Sequence, residues 1–103
     1  MSIETAPLLR SGAEVATPNA SRYLQQLCKH FAHKRPVEFT SETGSIAFTG
    51  GECQLAAKDG VLAMSVTASG AEDLSLLQHV VARHLERFAF REPLAIEWSG
   101  PQA

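Results

Sequence analysis

The sequence has no basic excess, no long apolar run and very few cysteines. Its 103 residues include nine Lys and Arg and eleven Asp and Glu, which gives a formal net charge of -2. Because nucleic-acid-binding domains usually carry a clear basic excess, the charge does not favour that class of partner. No segment approaches the roughly 20 apolar residues that a membrane-spanning helix needs. We therefore expect neither a nucleic acid nor a membrane as a partner.

The N-terminus and the cysteine content lack the marks of an exported protein. The first methionine is followed by Ser2, Ile3 and Glu4 instead of the basic and then apolar residues of a secretory signal. Cys28 and Cys53 are isolated in the sequence and do not make a disulfide framework. We expect a cytoplasmic protein whose two thiols are reduced and face the core.

The short motifs that identify common enzymes are missing as well. Gly50-Gly51 is a turn signal and not a phosphate-binding loop, because no helix follows it. No dinucleotide fingerprint, nucleophile elbow or Ser–His–acid arrangement stands out. We expect a protein that is not an enzyme and that holds no cofactor.

The length supports one hydrophobic core and therefore one domain. We expect a flexible N-terminal arm over residues 1–12, a single α+β domain over residues 13–99 and a flexible tail over residues 100–103. Within the domain, Ala13–Ala16 is expected to add an N-terminal edge strand.

Two segments place apolar residues at the spacing of one helical face. The first follows Thr17-Pro18, which is a helix start signal, and ends at Lys34-Arg35-Pro36. The second follows Ser69, which forms a capping-box pattern with Glu72, and ends at about Phe88. The predicted apolar stripes are Ala20, Leu24, Leu27, Cys28 and Phe31 in the first helix, and Leu74, Leu77, Val81, Leu85 and Phe88 in the second.

Between the helices the apolar residues alternate with a period of two, which is typical of strands with one buried face. Turn signals at Thr43-Gly44, Gly50-Gly51 and Lys58-Asp59-Gly60 divide this region into four strands, and Leu94–Trp98 alternates as a further strand. The pattern predicts an α+β two-layer sandwich in the order α-β-β-β-β-α-β, a mainly antiparallel sheet of about five strands with two helices on one face. The side chains expected to be buried are Phe31, Phe39, Ile46, Phe48, Leu62, Met64, Leu77, Val81, Leu85 and Trp98.

Histidines, cations and aromatic residues concentrate in two blocks, residues 21–34 and residues 84–98. His84 lies near the apolar stripe of the second helix, either as a core-edge residue bonded to the protein or as a titrating group in a cleft between the helices. The cations form either a solvated face or an anion-binding rim. The candidate rim and cleft residues are Tyr23, Lys29, His30, Lys34, His84, Arg87 and Arg91.

The histidines of the first helix do not predict a metal site. His30 and His33 are three residues apart and therefore neighbours, but Cys28 lies about 200° from His30 around the helix axis and faces the core. Two helical histidines without further ligands rarely bind zinc tightly. We expect no metal site.

The segments RYLQQLCKHFAHK and HLERFAFRE resemble the two signature segments of a bacterial family of small proteins of unknown function. The resemblance extends from about Ala13 to Trp98 and includes a Gly-x-Ile-x-Phe pattern at Gly44–Phe48. Family members occur alone or joined to siderophore-interacting flavin reductases, which release iron from ferric siderophores. The resemblance therefore implies an accessory role in iron and siderophore utilisation. It supplies no catalytic residues, and the chain lacks the flavin-binding portion.

Two classes of function follow. In the first, the protein is a binding module in iron and siderophore handling, and its partner is an anionic ligand or a siderophore-interacting reductase. In the second, it is a structural protein–protein interaction module, a homodimer without a small-ligand site. Leu76 and Val80 extend the apolar surface of the second helix, and the sheet face away from the helices is flat, so either surface suits a symmetric contact.

Overall fold

A five-stranded antiparallel sheet carries both helices on one face in the computed structural model, which describes residues 8–100. The strands lie in the order β1-β5-β4-β3-β2, so β2 to β5 form a meander and β1 closes the sheet against β5. The predicted α+β two-layer architecture is confirmed. In chain order the elements are β1 (Leu9–Ala16), α1 (Ala20–Phe31), β2 (Val37–Phe39), β3 (Thr43–Phe48), β4 (Gly51–Lys58), β5 (Val61–Ala68) and α2 (Ala71–Phe88).

The two ends of the domain differ in detail from the expectation. β1 begins at Leu9, so residues 9–12 of the expected arm belong to the sheet. Residues 1–7 of the arm and residues 101–103 of the expected tail lie outside the described residues. The segment Leu94–Trp98 has the predicted alternation, but no strand is assigned to it. The backbone N–H of Ser99 donates to the Gly12 carbonyl at 2.8 Å, and the Ser11 hydroxyl donates to the Ser99 carbonyl. The chain therefore forms hydrogen bonds with β1 at Ser99, just after this segment, and the segment lacks the repeated backbone hydrogen bonds of a strand pair.

The core lies between the sheet and the helices. Every second residue of β5 faces it, from Leu62 to Ala68, and Leu85 of α2 and Leu24 of α1 are fully buried. Seven of the predicted core residues are buried as expected: Phe31, Ile46, Leu62, Met64, Leu77, Val81 and Leu85. Phe48 and Trp98 are only partly buried.

Phe39 is a correction, because 36% of it is solvent accessible. Its strand, β2, has three residues and forms the edge of the sheet, where no further strand covers it. Alternation identified the strand correctly, but alternation alone does not distinguish an edge position from a central one.

Gly44 sets how closely α1 approaches the sheet. A Cβ atom at this position would lie 2.6 Å from the Cys28 sulfur and 3.4 Å from a methyl group of Leu24. The missing side chain lets α1 pack directly on β3, which brings the C-terminal end of α1 to the end of β3 at Phe48.

The predicted cap of α2 is also corrected. The N-cap residue is Gly70 in an extended conformation, and no side chain caps the helix, so Ser69 and Glu72 do not form a capping box. Glu72 and Asp73 instead place two carboxylates in the first turn, where the positive end of the helix dipole favours them. Within residues 8–100, no helix combines the length and the apolar character needed to cross a bilayer.

Candidate functional site

The seam between α1 and α2 opens into a groove at the C-terminal end of α1. We call it the histidine groove and define it by His30, Phe31, Lys34, Phe48, Val80 and His84, which all line it. Its volume is about 480 Å³, within the range of roughly 300–1,000 Å³ that is common for small-ligand sites. Each helix supplies one of the two facing imidazoles, and β3 supplies Phe48.

The rings in and beside this groove form a continuous cluster of tilted and edge-to-face contacts. The centroids of His30 and His84 are 4.8 Å apart, and His84 lies 4.8 Å from Phe31. Phe31 meets Phe48 edge to face at 5.1 Å, and His30 meets Phe88 at 5.9 Å. These separations are those of favourable aromatic contacts, so the groove has a pre-formed aromatic floor.

A backbone contact fixes the orientation of His84. Its Nδ1 lies 2.7 Å from the carbonyl oxygen of Val80. Because a carbonyl only accepts, Nδ1 carries the hydrogen and donates it, which leaves Nε2 available to another group. His84 therefore has the protein bond expected of a core-edge histidine, and it also lines the groove.

His30 is the more exposed of the two stacked imidazoles. Partial desolvation by the surrounding rings lowers its pKa, and the charges of His84, His33, Lys34 and Arg87 lower the pKa further. All of these neighbours are basic, so they disfavour the protonated form of His30.

Arg35 extends the basic rim beyond Lys34. Its Nη1 donates to the hydroxyl of Thr49 at 2.9 Å, and its guanidinium carbon lies 5.9 Å from the centre of the Phe48 ring. A guanidinium over an aromatic face is a favourable cation–π arrangement that also pre-orients the charge. Asp73, which also lines the groove, is the one carboxylate among the described residues that line it.

Tyr23 lies at the other end of the seam, away from the histidine groove. It is buried, and its hydroxyl donates to Oε1 of Glu92 at 2.7 Å, to which Asn19 also donates at 3.1 Å. The bond from Tyr23 is the main cause of a lowered pKa for Glu92, and the same bond raises the pKa of Tyr23. Tyr23 ties α1 to the segment after α2.

The remaining predicted residues also divide between locations. Arg91 lines a second concavity with Tyr23 and Glu92, whereas Lys29 lies on the outer side of α1. Arg87 is exposed and acts on His30 through its charge, without lining the histidine groove. The structure thus gathers His30, Lys34 and His84 at one place and distributes Tyr23, Lys29, Arg87 and Arg91 elsewhere.

The sequence did not identify the hydrophobic part of the groove as a site. Phe48 belonged to the predicted core, and Leu76 and Val80 to a predicted contact surface. The signal that could have found them is positional: Leu76, Val80 and His84 are spaced four residues apart and therefore share one side of α2.

Neither cysteine presents a solvent-exposed thiol. Both thiols are free and buried, as expected, and burial raises the pKa of Cys28 to about 11 and that of Cys53 to about 12. A thiol with a raised pKa is a poor nucleophile because it is the thiolate that reacts. Within residues 8–100, no three His, Cys, Asp or Glu side chains converge in a way that suits a metal ion.

Comparison with known proteins gives a family and a solved relative. The family described as "Uncharacterized protein conserved in bacteria (DUF2218)" matches residues 12–99. The NMR structure of PA4090 from Pseudomonas aeruginosa is 39% identical in sequence to this chain and matches it with a TM-score of 0.79. That match covers 92% of this chain and 99% of the other. No curated protein matches the chain.

Proposed function

The chain belongs to the DUF2218 family of uncharacterised conserved bacterial proteins, and from this premise we propose that it is a non-enzymatic binding module in iron and siderophore utilisation. Membership of an uncharacterised bacterial family, as the resemblance implied, is shown by the family match. The association with siderophore-interacting flavin reductases stays a prediction, and it supplies the ligand class that the proposal names.

The observation that carries the proposal is the pairing of a basic rim with an aromatic floor in the histidine groove. His30, Lys34 and Arg35 offer positive or protonatable nitrogen atoms above the rings of Phe31 and Phe48. This combination suits a ligand that is both anionic and ring-bearing. Ferric catecholate siderophores have those two properties, because their catecholate oxygens carry negative charge and their rings stack on aromatic faces.

The proposal assigns binding and not chemistry to the groove. His84 is held by Val80, and His30 is stacked on His84, so both imidazoles are pre-oriented toward a ligand. An anion that enters favours the protonated form of His30, since its attraction offsets the repulsion from the basic neighbours. Reduction of the iron is left to a partner reductase, for which this module would hold or deliver the ferric complex.

The test is a calorimetric titration of the protein with a ferric catecholate siderophore. A ferric hydroxamate siderophore, which lacks the anionic rings, is the ligand control. We expect the catecholate complex to bind more tightly than the hydroxamate complex, and Lys34→Ala and His30→Ala each to weaken it by roughly tenfold. Lys58→Ala removes the same charge from the last residue of β4, which does not line the groove, and should leave the affinity unchanged.

The partner is tested in the same way with a siderophore-interacting flavin reductase in place of the siderophore. If neither the ferric complexes nor the reductase bind the wild-type chain, the iron proposal fails. Binding that Lys58→Ala weakens as much as Lys34→Ala would assign the effect to overall charge and would also contradict the groove.

A second candidate function is a protein–protein interaction module that acts as a homodimer. The observation in its favour is a shallow depression of about 520 Å³ that includes outward-facing residues of β3, β4 and β5. An open depression on an uncovered sheet face suits a reciprocal contact between two copies.

A further inference from the structure

The basic residues of this acidic protein are segregated on its helical side. Of the nine Lys and Arg residues, only Arg10 and Lys58 lie on strands. The other seven lie on the two helices or in the turns directly after them, and all are solvent exposed: Arg22, Lys29, Lys34, Arg35, Arg83, Arg87 and Arg91.

The acidic residues are divided more evenly. α1 contains no Asp or Glu, whereas α2 carries Glu72 and Asp73 in its first turn and Glu86 near its end, and Glu92 lies in the turn after α2. Five acidic residues lie on the strands or in the turns between them: Glu14, Glu38, Glu42, Glu52 and Asp59. The molecule therefore has a positive helical surface, which we call the basic helix face and define by Arg22, Lys29, Arg83 and Arg87.

Helix dipoles explain only part of this face. Cations near the C-terminal ends, such as Lys29 in α1 and Arg87 in α2, are favoured by the negative end of the dipole. Arg22 lies in the first turn of α1, where the dipole disfavours a cation. Arg83 lies more than a turn before the end of α2. Local helix stability thus does not account for these two arginines.

Two exposed apolar side chains flank the face. Leu76 is 58% exposed and Phe90 is 77% exposed, and both belong to α2 or the turn after it. They lie roughly 20 Å apart, given a rise of about 1.5 Å per helical residue. The guanidinium carbon of Arg91 lies 5.3 Å from the Phe90 ring centre, so charge and apolar surface are adjacent there.

We propose that the basic helix face docks an acidic helical segment of a partner protein, with Leu76 and Phe90 as its two apolar contacts. Charge complementarity identifies the partner, since a cationic face with spaced apolar residues fits an acidic amphipathic helix along the α1–α2 seam. A second copy of the chain is disfavoured on this face because the same positive surfaces would meet. Leu76 also lines the histidine groove, whereas Arg22 and Arg83 do not, so these two arginines distinguish the basic helix face from the groove.

The test measures binding of the full chain to a labelled acidic peptide by fluorescence anisotropy. The peptide has about 20 residues, is rich in Glu and Ala, and carries two leucines about 14 positions apart to match the spacing of Leu76 and Phe90. A second peptide has the same composition in scrambled order. We expect the first peptide to bind more tightly than the second, and the affinity to fall as salt is raised.

Paired variants locate the contact. Arg22→Glu and Arg83→Glu are expected to weaken binding by roughly tenfold each, and Phe90→Ser by a similar factor. Arg22→Glu keeps the protein folded, since an acidic residue in the first turn suits the helix dipole. The matched controls are Lys58→Glu for charge and Phe39→Ser for an exposed aromatic, and both lie on the sheet and should bind like the wild type.

Three outcomes would overturn the proposal. One is the absence of binding at low ionic strength, and another is equal binding of the two peptides. The third is binding to vesicles that contain phosphatidylglycerol without binding to either peptide, which would assign the face to an anionic lipid surface. Loss of siderophore binding in Lys34→Ala tests the other proposal and has no bearing on this one.

Discussion

The imidazole of His30 is packed between rings while the residue as a whole remains open to solvent. Desolvation and the basic neighbours His84, His33, Lys34 and Arg87 lower its pKa in the folded state. In the unfolded chain His30 titrates near its ordinary value of about 6.5. At a pH between the two values the unfolded state binds more protons than the folded state, so stability rises with pH.

From this sign we predict that the free energy of unfolding is greatest above about pH 6.5 and falls on acidification to pH 5.5. Replacing His30 with Gln removes the titrating group, so this variant should lose part of the decrease. Urea denaturation above about pH 6.5 and at about pH 5.5 measures the change in the free energy of unfolding for the wild type and the variant. The low pKa of Glu92 does not interfere, because its contribution is lost only at a pH below the ordinary value of 4.5.

His79→Gln is the matched control, since His79 is exposed on α2 and does not line the groove. The control should keep the pH dependence of the wild type. If His30→Gln keeps it as well, the packing of the two imidazoles has no energetic consequence, and the argument for a pre-oriented groove is weakened.

At the scale of elements, α2 packs one side against the core and presents its other side to solvent. Leu85 is fully buried on the side that faces the sheet, whereas Leu76 of the same helix is 58% exposed. Truncating Leu85 to Ala is predicted to lower the free energy of unfolding by about 2–5 kcal/mol, from the lost burial and the cavity that remains. Leu76→Ala should change it by no more than about 0.5 kcal/mol. Denaturant unfolding of the two variants measures both values, and equal effects would contradict the assigned packing of α2.

The elements show what the sequence could predict and where prediction stopped. The helical stripes that include Leu24 and Leu85 and the alternation around Ile46 and Met64 identified both helices and their buried faces, because each pattern depends on local geometry. Burial of Phe39 was predicted wrongly, since its place at the sheet edge depends on strand order. The caps also differed, since Gly70 begins α2 without a side-chain bond.

The candidate site shows the same limit. Tyr23 and His30 are seven residues apart, so they share one side of α1, and periodicity alone suggested a common cleft. Two helical turns also separate them by about 10 Å along the axis. His30 therefore meets His84, whereas Tyr23 meets Glu92 beyond the end of α2. A single sequence gives the face of a helix but not the point at which another helix crosses it.

At the scale of the whole molecule, the two-layer fold leaves one sheet face without a covering layer. The middle of that face consists of small or uncharged side chains, including Ser45, Gln54, Ala56, Ala63 and Ser65, and they line the depression bordered by Phe39. The helical side repels a second copy because of its positive charge. A twofold contact between sheet faces is therefore the symmetric association that the surface favours.

We predict that the protein forms a dimer at high micromolar concentration through this sheet face. Ala56→Arg places a charge in the depression and should shift the population to monomer. Ser75→Arg adds the same charge on α2 and is expected to leave the dimer intact. Light scattering across a concentration series measures the mass. A monomer at every concentration would exclude the homodimer function and leave the binding module as the function to test, and a dimer that only Ser75→Arg disrupts would move the contact to the helices.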